Sequence, residues 1–63
     1  MKYLIILLLS SEPIYIPFNE LLSCAEQGNE AIEIIGEYHP AEGKRSQGWY
    51  TKDTKLIYGF YCE

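Results

Sequence analysis

Only two cysteines, one histidine and five lysines and arginines occur in the 63 residues, and each shortage closes off a class of chemistry. A structural zinc takes four ligands, whereas Cys24, Cys62 and His39 offer three, so no metal site is expected. Gly36, Gly43 and Gly48 lack the spacing and context of a nucleotide-binding loop, and no cofactor is expected. The longest apolar run, Tyr3 to Leu9, falls far short of the roughly 20 residues that cross a bilayer, which excludes a membrane span. A cysteine and a histidine could form a nucleophilic pair, yet nothing near Cys24 or Cys62 marks an activated thiolate. Glu33 and Glu37 could work as paired carboxylates, but they fit a solvated strand face equally well. The expectation is a protein that is not an enzyme and works by binding.

What the chain does have is apolar material: 48% of residues are hydrophobic and 22% charged. That balance belongs to a folded chain rather than a disordered one. At this length residues 1–63 make a single domain with a marginal core, of the kind that small proteins reinforce with a disulfide, a metal or a second subunit. Cys24 and Cys62 are the disulfide candidate, and a bridge between them would require an oxidising compartment.

Met1-Lys2 followed by Tyr3 to Leu9 has the charged start and apolar run of a secretory signal peptide, with Ser10 and Ser11 as small residues before a cleavage point. Against this, no A-x-A pattern follows, and cleavage after Ser11 would place Leu9 at −3. The same residues read as a buried strand ended by Ser10-Ser11-Glu12-Pro13, and the strand is favoured. A cytoplasmic location goes with the strand; a secreted or periplasmic one goes with a cleaved segment 1–11.

Ile14-Tyr15-Ile16, held between Pro13 and Pro17, predicts an edge strand. Asn19 predicts a helix cap, with Phe18, Leu21, Leu22 and Ala25 on one face of a helix over 19–27 that Gly28 ends. Alternation of Ile32, Ile34 and Tyr38 with Glu33 and Glu37 predicts a strand over 31–38. A helix running through Gly28 to Gly36 competes with that reading, at a cost of about 1 kcal/mol for the mid-helix glycine. Residues 39–48 read as an exposed loop. A hairpin of Trp49–Lys52 and Lys55–Tyr61 turns at Asp53-Thr54, with Leu56, Tyr58 and Phe60 on one face and Ile57 and Tyr61 on the other. The fold class is α+β: a small, mainly antiparallel sheet of about four to five strands with one short helix.

An apolar strand at Tyr3–Leu9 presents large side chains to both sides of a sheet, and a helix of nine residues covers one side only. The second side calls for the hairpin wrapping over as part of a barrel, for a second copy of the chain in a homodimer, or for a target protein.

Charge is segregated. Residues 1–43 carry Lys2 against seven glutamates, whereas residues 44–63 carry Lys44, Arg45, Lys52 and Lys55 against Asp53 and Glu63. Five of the nine aromatics lie between Trp49 and Tyr61. Cations beside aromatics suit a protein interface, where Trp, Tyr and Arg dominate binding energy, or single-stranded nucleic acid, where bases stack on rings. The net charge of −4 weighs against nucleic acid. The expected partner is another protein, docked on Lys44, Arg45, Trp49, Tyr50, Lys52 and Tyr61 by a small regulator or inhibitor. Very small acidic mixed domains are common among accessory proteins of phages and mobile elements, an analogy of size and charge alone.

Overall fold

The computed structural model describes residues 1–63. In order they form β1 (Tyr3–Leu8), β2 (Ile14–Pro17), α1 (Cys24–Ile35), β3 (Gly36–His39), β4 (Gly48–Thr51) and β5 (Leu56–Cys62). The five strands make one antiparallel sheet in the order β2-β1-β5-β4-β3. This is the α+β class that the sequence pattern predicts, and β2, preceded by Pro13 and ending at Pro17, takes the predicted edge position.

The apolar opening strand sits inside the sheet, paired with β2 on one side and β5 on the other. Alternation sends Leu4, Ile6 and Leu8 to one face, where they form the core with Ile57. Ile14, Ile16, Phe60 and Trp49 extend that face from the neighbouring strands, and Ala31, Ile32 and Ile35 of α1 pack down on it.

The helix differs from the prediction. It begins at Cys24, not at 19, and runs through Gly28 and Asn29 to Ile35. The competing continuous reading is therefore correct through Ile35, and of the strand expected over 31–38 only residues 36–38 are extended, in β3. Glu33 lies in α1 and Glu37 in β3, so the two carboxylates share no strand face. Ser23 is the cap: its hydroxyl accepts from the Glu26 amide, and the Glu26 carboxylate reaches back to the Ser23 amide. Asn19 serves the preceding turn, its side chain accepting from the Leu21 amide.

Gly28 is needed inside the helix because a Cβ there would lie 2.1 Å from the Phe60 ring. Its hydrogen lets the helix seat directly on the phenyl group of β5, and this contact outweighs the entropic penalty of a helical glycine. The adjacent Gln27 is buried and saturates its amide locally. Its carbonyl accepts from the Asn19 amide at 2.7 Å, while its NH2 donates to the carbonyls of Asn19 and Leu22 at 2.6 and 3.3 Å. A polar side chain so paired costs little to bury, and it ties the 18–22 segment to the helix.

The β4–β5 hairpin forms as expected, but its faces do not alternate simply. Leu7 lies opposite Gly59 and Leu8 opposite Ile57, so Tyr58 is an extra residue in the β5 ladder. The bulge puts Ile57 and Phe60 together on the helix side and Leu56 on the other. The predicted grouping of Leu56, Tyr58 and Phe60 is thereby corrected.

Cys24 and Cys62 are joined by a disulfide, with Cα atoms 6.0 Å apart, which fastens the first turn of α1 to the last residue of β5. The bridge closes a loop of 38 residues, for which the chain-entropy model gives about 4 kcal/mol.

Two outcomes follow from this packing. Gly28→Ala, although favourable in an isolated helix, is expected to lower unfolding free energy by about 1–3 kcal/mol in urea denaturation, and a gain in stability would contradict the contact with Phe60. Reduction, or the pair Cys24→Ser with Cys62→Ser, is expected to remove about 4 kcal/mol, leaving the chain largely unfolded at 37 °C by circular dichroism.

Candidate functional site

The face of the sheet opposite α1 carries no helix. The hairpin does not wrap over it, and the sheet stays open with β2 and β3 at its edges. Even so, Ile5, which alternation turns toward this face, is only 1% exposed. Its cross-strand partners are Tyr15 on β2 and Tyr61 on β5, and Tyr3 lies two residues before it on the same side. The Tyr3 and Tyr15 rings meet edge to face, centroids 6.0 Å apart. The tyrosines flanking this isoleucine are themselves 44–59% exposed. A tyrosine suits this place because its ring covers an apolar neighbour while its hydroxyl stays wet.

Toward the other end of the same face, Tyr50 is buried and its hydroxyl donates to the Ser46 carbonyl at 2.7 Å. The ring carries the Arg45 guanidinium 5.6 Å above its centroid and meets the His39 ring edge-on at 5.6 Å. Paired hydrogen bonds between the Glu42 and Arg45 backbones close the loop between β3 and β4 into a tight turn, with Gly43 at a positive φ of 57°. The loop thus folds back over Tyr50. Arg45 also meets the Glu42 carboxylate at 3.8 Å, an exposed contact of little energetic weight.

The residues expected to form one docking surface are divided among several places. Lys44, Arg45 and Tyr50 come together, joined by Lys55, around a depression on the open face. Tyr61 lies at the far end of β5 in the tyrosine cluster. Trp49 faces α1, half-buried beside Ile32 and packed edge-to-face on Tyr38 with centroids 5.9 Å apart. Lys52 borders a hollow near the C-terminal end of α1, between Leu8 and Ile34. Alternation along β4 accounts for the split of Trp49 from Tyr50, since neighbours in a strand point opposite ways.

Tyr3 and Tyr15 are absent from the expected surface. Each is visible in the sequence as an aromatic within a β-type run, but that they meet depends on the β1–β2 register, which pairs Tyr3 with Pro17 and Ile5 with Tyr15. No group of three His, Cys, Asp or Glu side chains is placed to hold a metal ion, and no helix is long and apolar enough to cross a membrane. A scan against protein-family models and searches of curated proteins and of solved structures found no match.

Proposed function

We propose that this is a non-enzymatic binding protein that docks another protein onto the uncovered face of its sheet and regulates or inhibits that partner by occupying its surface. The observation that carries this reading is the exposed cluster of Tyr3, Tyr15 and Tyr61 around Ile5, on the one side of the sheet that no helix covers. Tyrosine is among the residues that concentrate binding energy, because it contributes large contact area for few rotatable bonds. The molecule measures 40 × 20 × 15 Å along its principal axes. Its broad face is thus of the same order as the roughly 800 Å² per partner of a standard interface.

Charge defines the partner further. Lys44 and Arg45 stand on the loop at the other end of this face, so the matching surface carries an apolar patch with anionic groups to one side. Trp49 and Lys52 have no part in this contact. The Cys24–Cys62 bridge bears on place as well: such a bridge persists where the surroundings are oxidising, so the proposed docking belongs to an oxidising compartment. Removal of segment 1–11 in such a setting would take away β1 and with it the pairing of both β2 and β5, so the reading keeps that segment in the working protein.

Chemical cross-linking in the source extract, followed by reconstitution with the purified captured protein, tests the docking. Tyr15→Ser and Tyr61→Ser, with retained unfolding midpoints, are each expected to weaken the reconstituted complex by about 5- to 30-fold. Leu21→Ser, at a residue 90% exposed outside the sheet, is expected to leave it unchanged. Equal affinity for all variants would sink the proposal, as would concentration-dependent pairing of the chain with itself through the same tyrosines.

A further inference from the structure

We propose that the depression on the open face between the β1–β2 turn, the β3–β4 loop and the β4–β5 turn is a binding site for a phosphate or sulfate group. Three of the chain's five basic side chains, Lys44, Arg45 and Lys55, line it, together with Ser10, Ser46 and Thr54. No carboxylate is in the lining, although the chain carries nine acidic residues. An acidic molecule that gathers most of its cations around one concavity creates there a local positive potential opposite in sign to its net charge.

The site is also shaped in advance. The guanidinium of Arg45 rests over the Tyr50 ring, and that ring is fixed by its hydroxyl's hydrogen bond to the Ser46 carbonyl. Ser10 and Thr54 hold left-handed backbones, with φ of 59° and 64°, at the turns that border the depression from two sides. The Leu9 amide donates to the Leu56 carbonyl at 2.9 Å, which holds β1's end against the start of β5 and keeps those turns together. Neither Lys44 nor Lys55 takes part in any of the three ion pairs. The exposed Glu42 carboxylate, 3.8 Å from Arg45, is the one internal anion that an incoming group displaces.

Donor number selects the ligand class. Three cations and the hydroxyls of Ser10 and Ser46 exceed what the two oxygens of a carboxylate can use, and they match the three terminal oxygens of a phosphate or sulfate monoester, while the Thr54 hydroxyl donates to the Asp53 carbonyl within its own turn. The cavity, about 370 Å³ in volume, is larger than such a group, and Leu9 and Leu56 add apolar lining where the stem of an ester can lie. This inference stands whether or not a protein docks on the same face.

The test is an amide chemical-shift titration of the oxidised full chain at constant ionic strength with inorganic phosphate, phenyl phosphate and acetate. Saturable shifts confined to Ser10, Lys44, Arg45, Ser46, Thr54 and Lys55 are expected with both phosphates. Lys44→Gln and Lys55→Gln are each expected to weaken the affinity by about tenfold, and Lys52→Gln to leave it unchanged. The double variant Lys44→Gln with Lys55→Gln is expected to abolish saturation; should it fail to fold, the single variants decide. Tighter binding of phenyl phosphate than of inorganic phosphate assigns the site to an esterified group, and equal binding assigns it to the free anion. Shifts that are scattered over all the lysines, that acetate reproduces equally, or that Lys52→Gln reduces as much as Lys55→Gln would overturn the assignment, as would no shifts at all.

Discussion

Leu4, Ile5 and Ile6 of β1 are each no more than 1% exposed, although they point alternately to the two faces of a sheet that has a helix on one side only. Burying a strand on both faces with a single covering helix is the constraint from which the rest of the structure proceeds. On one face the solution is ordinary: α1 lays Ala31, Ile32 and Ile35 over Leu4, Ile6 and Leu8. On the other there are too few residues for a second layer, and Ile5 is shielded by the side chains of its own sheet neighbours. Tyrosine serves there because it can shield and remain hydrated at once, so that the stability requirement itself leaves an aromatic surface exposed.

The helix reaches the sheet because two of its residues give way to what lies beneath. Gly28 removes the side chain that would collide with Phe60, and Gln27 spends its whole amide on the 18–22 segment, so both can be buried without an unpaired group. The Cys24–Cys62 bridge fastens the same helix at its start. A core whose fully buried side chains are Leu4, Ile5 and Ile6 gives limited hydrophobic stabilisation, and a staple between the helix and β5, the central strand, acts where that limit is felt.

Strand content and class were legible from the residues because β-branched runs, flanking prolines and the Asp53-Thr54 turn are local signals. The start of the helix was misread, because Asn19 offers a plausible cap and Gly28 imitates a terminator, whereas the structure caps the helix at Ser23 with Glu26. Only the contact with Phe60, 32 positions later in the chain, explains why that glycine continues the helix. The candidate surface was legible in part: Lys44, Arg45 and Tyr61 lie on the open face, whereas Trp49 turns to the helix and Tyr50 is enclosed by its own loop. Tyr3 and Tyr15 join the surface through strand register, and the Tyr58 bulge resets which side of β5 each residue faces. Neither follows from a single segment read alone.

Native-state amide hydrogen exchange on the oxidised chain tests most directly the claim that β1 is the permanent centre of the fold. The account predicts that the amides of Leu4, Ile5 and Ile6 are the slowest in the molecule and open only with global unfolding. Exchange at those positions as fast as in the β3–β4 loop, with the remainder of the chain still protected, would contradict it.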